Sequence, residues 1–412
     1  MCLTMNIDIP SIVKHICRRD TNKPLKFARD AWIIFGIAVL LLVAIEAAIS
    51  IGFYIRGFWH SPDANYKLRA DAFAGASWAP LYYKEYEEMG LLKWKPYVYW
   101  NRKSHQGSVI NIDSEGMRKT YNNAASEAAG TAAKVFVFGG STIWGAGVRD
   151  DFTIPSLFAK GAESKGVICK VTNFGQSGYV STQEVIELLL QLQRGNVPDV
   201  VIFYDGVNDT FAAFQQGAAG LPQNEFNREA EFNLSQKGEL RSLAVQNAAN
   251  RLATMRLING FLDRLGARRN GAPFRSPECA KPLSDKHKLA QEVVDTYLSN
   301  VTLVRAFSKF YGFKCLFYWQ PVIYQKQHLT DYERQALELE YNYAGMKEFY
   351  TETYALLQKR AKDLGPDVAF HDVSSIFNQV QEPIYIDYCH ISEKGNGVIA
   401  GIMLEDVARF MN

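Results

Sequence analysis

Cysteine is scarce in this 412-residue sequence. Six residues with no C-x-x-C pair among them exclude a disulfide-stapled scaffold and give no support to a zinc site. An excess of charge of either sign is also missing, since 45 Lys and Arg stand against 43 Asp and Glu, a formal net charge of +2. Proteins that wrap nucleic acid depend on clustered basic side chains, so the balance speaks against a nucleic-acid partner. No internal repeat is evident. What is present is ordinary for a globular chain: 48% apolar and 21% charged residues, which rule out wholesale disorder.

One stretch is far from ordinary. Residues 31–55 read AWIIFGIAVLLLVAIEAAISIGFYI, with Glu46 the single acid and no base. At about 1.5 Å per residue, a helix of this length spans roughly 37 Å, enough for a hydrocarbon core of about 30 Å. A charged Glu46 costs about 2–3 kcal/mol there, which the Leu, Ile, Val and Phe run offsets. Glu46 reads either as a tolerated acid, protonated or reaching toward an interface, or as a partner contact or proton-linked site. A cleaved signal peptide has an apolar core of about 7–15 residues close to the N-terminus. This run is longer and follows thirty residues, so it reads as an anchor in a lipid bilayer.

Basic residues set the expected direction. Lys14, Arg18, Arg19, Lys23, Lys26 and Arg29 precede the span, and only Arg56, Lys67 and Arg69 follow closely. The positive-inside rule then makes 1–30 a cytoplasmic tail and exports everything beyond residue 56. In a bacterium this is a single-pass cell-membrane protein with a periplasmic or extracellular domain. Cys169, Cys279, Cys315 and Cys389 would face an oxidising space, where three pairings are possible, or remain buried thiols.

Residues 56–133 are rich in Tyr, Trp, Gly and Ala without a sustained period, and read as a stalk packing on the main domain, with an Ala/Gly-rich linker at Asn122–Ala133. From 134 to 412 apolar strands alternate with amphipathic helices. The strands are Val135–Phe138, Cys169–Phe174, Val200–Tyr204, Lys314–Trp319 and Val368–Phe370. The helices are Thr153–Glu163, Gln183–Arg194, Asp285–Tyr311, Asp331–Lys362 and Gly395–Phe410, the second with a capping box of Ser181 and Glu184. This alternation predicts an α/β fold, a three-layer α/β/α sandwich around a parallel sheet. A polar insertion at about 210–281, helical over Leu240–Leu265, interrupts it and either caps a pocket or merely packs.

In such sheets ligands bind at the carboxyl ends of the strands. The first strand runs into Gly139-Gly140-Ser141, placing a hydroxyl in a tight turn. The second ends in Asn173-Phe174-Gly175-Gln176-Ser177-Gly178-Tyr179, whose backbone can offer an N–H to an oxyanion. The third ends in Gly206-Val207-Asn208-Asp209, where the Asn208 amide is a further donor. Asp387-Tyr388-Cys389-His390 precedes the last helix, and an acid three residues before a histidine can accept its Nδ1–H and leave Nε2 as a base. Each signal alone is weak, because turns and caps use the same residues.

Their order and setting resemble the SGNH/GDSL hydrolase superfamily, closely over residues 134–205 and again near 385–400. The resemblance assigns the nucleophile to Ser141, the second-block glycine to Gly178, G-x-N-D to Gly206–Asp209, and D-x-x-H to Asp387 and His390. Gly140 departs from the pattern, since many members carry Asp there. The resemblance implies a Ser141–His390–Asp387 triad and an oxyanion hole formed by the Ser141 and Gly178 N–H groups with Asn208. It calls for no metal and no organic cofactor.

Trp144, Tyr179 and Gln320 are positioned to line the substrate pocket, or else to serve as core and rim. Resemblance and location together imply an esterase acting on O-acyl esters, either a small molecule or a cell-surface glycan. Two other readings stay open: an O-acyltransferase with the same triad, and a non-catalytic glycan-binding or assembly protein on the same fold. Protein partners cannot be read from the sequence.

Overall fold

The computed structural model describes residues 22–60, 73–123, 132–236, 285–340, 343–365 and 367–411, with short pieces between 245 and 258. Most of the expected linker at 122–133, most of 240–265, and Cys279 lie outside the described residues. The chain forms two compact units, one joining residues 1–62 with 233–271, the other joining 63–232 with 272–412.

The first unit contains the helix Asn22–His60. Its segment Lys26–Phe53, with a mean hydropathy of 2.6, is long and apolar enough to cross a membrane. Glu46 finds a partner within the unit. Its carboxylate accepts the Ala253 N–H, the Thr254 N–H at 3.0 Å and the Thr254 hydroxyl at 2.8 Å. The acid and these donors satisfy one another's hydrogen-bonding capacity.

The second unit is built on a parallel sheet. Two short antiparallel hairpins come first, β1 (Lys93–Lys95) with β2 (Tyr99–Asn101), and β3 (His105–Gln106) with β4 (Asn111–Ile112). The sheet strands are β5 (Ala133–Gly139), β6 (Cys169–Asn173), β7 (Val200–Asp205), β8 (Lys314–Trp319) and β9 (Ala369–Asp372), in the order β6-β5-β7-β8-β9. The three inner strands β5, β7 and β8 form near-continuous apolar runs, the pattern of a sheet buried on both faces, while the edge strands β6 and β9 are more polar and less buried. Phe174, Phe138, Phe203 and Phe317 stack in a row across the strands at 4.8, 5.0 and 5.6 Å between ring centroids. Flanking helices fall into two groups. Ile154–Ser164 packs on Glu393–Met411, while Lys286–Tyr311 packs on Ser181–Gln193, Val207–Gln216 and Met346–Arg360. The strand order reverses at β5, so the carboxyl ends of β5 and β7 border the crevice where such folds bind ligands.

Some local expectations need correction. The helix expected from 331 to 362 is two helices, Asp331–Glu340 and Met346–Arg360, the second preceded by Gly345 at φ 83°. The helix cap falls one residue earlier, with only half of a capping box. Val180 is the cap, and its N–H donates to the Gln183 side chain at 3.2 Å. Ser181 instead donates its hydroxyl to Asp209 at 2.6 Å, because tertiary packing offers it a buried carboxylate. Cys169 and Cys315 are free thiols. Burial pushes the Cys169 thiol up to about 11.

Residues 73–123 hold the helix Ala79–Glu88 besides the two hairpins. Buried polar groups hold this region together and tie it to the rest of the unit. Glu85 accepts the N–H groups of Ser108, Val109 and Ile110 at 2.6–3.1 Å. Burial opposes its charge, yet those three donors hold its carboxyl below the ordinary value. Arg118 is wholly buried, with Nε on Asp150 at 2.9 Å.

Candidate active site

The nucleophile turn follows from sterics at the end of β5. Gly140 is extended, and Ser141 opens the one-turn helix Ser141–Trp144. A Cβ at position 140 would stand 2.0 Å from Asn208 Nδ2, so any larger residue there would have to displace the Asn208 amide. The Ser141 N–H lies in the first turn of its helix and has no carbonyl within the helix to serve.

Ser141 Oγ is 2.6 Å from His390 Nε2, and His390 Nδ1 is 2.6 Å from Asp387 Oδ2. The other Asp387 oxygen accepts the N–H groups of Cys389 at 3.0 Å and His390 at 2.8 Å. The short D-x-x-H loop thus folds back on its own carboxylate, which fixes both the acid and the ring. An imidazole whose Nδ1–H is held by a carboxylate presents Nε2 as an acceptor, toward the serine hydroxyl. Cys389 is buried, its Sγ 3.8 Å from Nδ1 at the ring edge remote from the serine. Ligand atoms of Asp387, Cys389 and His390 lie within 4.8 Å of one another. A metal there would compete with the hydrogen bond that orients the histidine.

The donor loops converge on the same place. Gly206, with φ 118°, turns the chain sharply after β7, and any Cβ there would run into the Trp319 ring at 2.7 Å. The turn delivers Asn208 over Gly140. Gly178 sits on a loop held from the hairpin side, where Trp100 Nε1 donates to the Ser177 carbonyl at 2.8 Å. Arg102 donates to Ser177 Oγ at 2.9 Å.

Residues not singled out from the sequence bind these loops together. Asn173 donates from Nδ2 to the Ile143 carbonyl and accepts the Gly175 N–H, both at 2.9 Å, joining the serine turn to the Gly178 loop. Arg118 donates to the carbonyls of Gly145 and Val148, fixing the chain just after the serine helix. Lys326 and Glu333, both fully buried, pair at 2.7 Å, and Glu333 also accepts the Ile384 and Tyr385 N–H groups at 3.1 Å. This anchors the strand of chain leading into Asp387. Thr330 and Glu333, at capping-box spacing, were the only local signal for any of these.

Trp144, Tyr179 and Gln320, read as pocket-lining residues, are all buried. The Trp144 ring lies against the guanidinium groups of Arg102 and Arg118, 4.8 and 4.4 Å from its centroid. The Tyr179 hydroxyl donates to the Trp100 carbonyl. The Trp144 and Tyr179 rings are taken up by this packing, the core position that the sequence left open for them.

Three further acids stand behind Asn208. Glu184, Asp205 and Asp209 are buried, and burial pushes all three carboxyls up. Asp209 accepts both the N–H and the hydroxyl of Ser181, at 3.1 and 2.6 Å. Glu184 and Asp205 instead face each other. Among the described residues no donor reaches either Asp205 oxygen or Glu184 Oε2. Two facing carboxyl groups form a hydrogen bond when one keeps a proton, so this pair is held as an acid–carboxylate dyad at most singly charged.

No protein-family model and no curated protein matches the sequence. Among solved structures, the chain is similar to an acetyl xylan esterase at 15% identity and a TM-score of 0.34, over 66% of this chain and 99% of that one. It is similar to a member of the lipolytic protein G-D-S-L family from Veillonella parvula at 13% and 0.35, over 66% and 97%. A psychrotrophic esterase from Pseudoalteromonas sp. gives 11% and 0.32, over 68% and 99%. With similarity this distant, the functional reading stands on the geometry of Ser141, His390 and Asp387.

Proposed function

We propose that the chain is a membrane-anchored, exported serine esterase acting on O-acyl esters of cell-surface glycans. The observation that carries this reading is the pair of 2.6 Å contacts linking Ser141 Oγ, His390 and Asp387. His390 Nε2 takes the proton as Ser141 Oγ bonds to the ester carbonyl carbon. The Ser141 and Gly178 N–H groups and the Asn208 amide receive the oxyanion. Collapse breaks the ester C–O bond, and the proton on His390 passes to the departing alcohol. Water then attacks the acyl-serine with His390 again as base, releasing the acid and restoring Ser141. Asp387 stabilises the imidazolium throughout. None of these steps calls on a metal or organic cofactor.

The glycan target follows from location: an anchor at 31–55 with the N-terminus cytoplasmic holds the domain at the outer face, where acylated surface polymers lie. A reporter fused after residue 412 should report an exported terminus. For the chemistry, the full chain in detergent should react with a fluorophosphonate probe, and Ser141→Ala should abolish the label. His390→Ala should lower ester turnover by about 10³-fold or more. Labelling that persists in Ser141→Ala, or a folded wild type that takes none, overturns the reading.

A further inference from the structure

The G-x-N-D block ends at Asp209, yet a residue beyond it that belongs to none of the four blocks reaches the same place. Gln223 lies between the helices Val207–Gln216 and Glu225–Gln236. Its Nε2 donates to Asn208 Oδ1 at 3.4 Å, a long hydrogen bond. The same amide packs on the other donor loop, its Oε1 3.3 Å from where a Cβ on Gly178 would stand. Gln223 thus bonds Asn208 and lies beside Gly178.

Its own position is fixed from two sides. Arg228 Nη1 donates to the Gln223 carbonyl at 2.6 Å, and Nη2 donates to it as well. The Arg228 guanidinium lies over Tyr99 and Trp100, 4.6 and 4.8 Å from their centroids. Trp100 is the residue that holds Ser177, next to Gly178. On the other side, the neighbouring Asn224, at φ 61°, donates its N–H to Gln215 Oε1 at 2.9 Å and accepts from Gln215 Nε2 at 3.2 Å.

An amide side chain offers two nearly isosteric faces, an oxygen and an NH₂. Only the NH₂ face of Asn208 stabilises a developing oxyanion. The oxygen face would repel it. We infer that Gln223 is a positioning residue that sets this choice: by donating to Asn208 Oδ1 it turns Nδ2 toward Gly140 and Ser141, and Arg228 clamps it in register with Gly178. The inference rests on the esterase reading for its catalytic consequence and on the hydrogen bond alone for its structural one.

Gln223→Glu is the decisive variant, since it keeps the shape and reverses the polarity. A carboxylate at 223 accepts from Asn208, so the Asn208 amide flips and presents oxygen to the oxyanion. With p-nitrophenyl acetate and the full chain in detergent, Gln223→Ala should lower kcat by about tenfold. Gln223→Glu should lower it by about 100-fold, the scale of losing one oxyanion donor. KM and melting temperature should stay near wild type in both. In an Asn208→Ala background Gln223→Glu should cause no further loss. A Glu variant as active as the Ala variant, or additive losses in the double variant, overturns the proposal.

A second readout separates this from failure of the esterase reading. With asparagine selectively labelled with ¹⁵N, the Asn208 side-chain NH₂ resonance is assigned by its loss in Asn208→Ala. Gln223→Glu should move that resonance as its NH₂ gains an ionic acceptor, whether or not the protein turns over ester. An unmoved resonance overturns the positioning role, whereas a moved resonance in a protein without Ser141-dependent turnover supports it while overturning the esterase reading.

Discussion

Behind the loop of Asp387 and His390, Glu333 is fully buried and surrounded by donors: Lys326 Nζ at 2.7 Å, and the N–H groups of Thr330, Ile384 and Tyr385. Behind the loop of Asn208, Glu184 and Asp205 are as deeply buried and, among the described residues, have no cation or backbone donor on their facing oxygens. The first acid has its charge matched on the spot. The second pair avoids most of its charge by keeping a proton. The loop of Asp387 and His390 therefore leans on an ion pair whose loss leaves a buried charge, and the loop of Asn208 leans on a pair of acids whose state follows pH.

Breaking the matched side should have the larger effect. Glu333→Ala strands Lys326 without a counter-charge and frees the amides at 384 and 385, and should cost about 3–5 kcal/mol in denaturant unfolding. If the cost proves under about 1 kcal/mol, the ion pair is not what holds the loop.

The unmatched side should show itself in pH dependence. A carboxyl that keeps its proton when folded, but loses it when unfolded, makes stability fall as pH rises. The fall begins near the ordinary carboxylate value of about 4 and continues until the folded group ionises. Each proton retained in this way lowers stability by up to about 1.4 kcal/mol per pH unit. Burial raises Asp205 and Glu184 above the ordinary range, so melting temperature should decline from about pH 4–5 upward. Asp205→Asn removes one such group and should flatten the decline. An unchanged slope would show that the dyad is not what titrates.

The smallest effect is expected where the same pairing stands in water. Arg360 and Asp295 meet at 2.8 Å with about half of each side chain exposed, at 46% and 56%. Asp295→Asn should change stability by about 0.5 kcal/mol or less, and less still at high salt. A change as large as that at Glu333 would mean that burial is not what separates these pairs.

The strands were legible because a sheet covered on both faces demands unbroken apolar runs. VFVF, VVIFY and KCLFYW had few other uses. The long helix at 331–362 was misread because Gly345 carries no hydrophobic signal, only a backbone conformation that other residues rarely adopt. Residues 73–123 looked irregular because their order comes from contacts distant in sequence, such as Glu85 with the 108–110 amides and Arg118 with Asp150. Among site residues, Ser141, Gly178, Asn208, Asp387 and His390 were named from short local motifs. Gln223 and Arg118 sit in no motif and Glu333 only in a capping box with Thr330, since their roles are to hold other groups.

For Trp144, Tyr179 and Gln320 the sequence left core and pocket wall open, and all three are buried. Nearness in sequence to a candidate nucleophile or donor placed them at the right edge of the sheet, but exposure is a property of everything packed around a side chain. Trp144 is covered by two arginines from residues 102 and 118, which local sequence around 144 does not contain.

Local chemistry was enough for the sequence to determine the apolar helix near the N-terminus, the alternation of strands and helices, and the residue types at each strand end, because these depend on periodicity and on steric demands spanning a few residues. The tertiary structure alone decided that Ser141 and His390, 249 positions apart, stand 2.6 Å from each other. It also decided which buried acids received counter-charges and which kept protons. Both outcomes depend on distances through space and on desolvation by remote segments, quantities that no local pattern encodes.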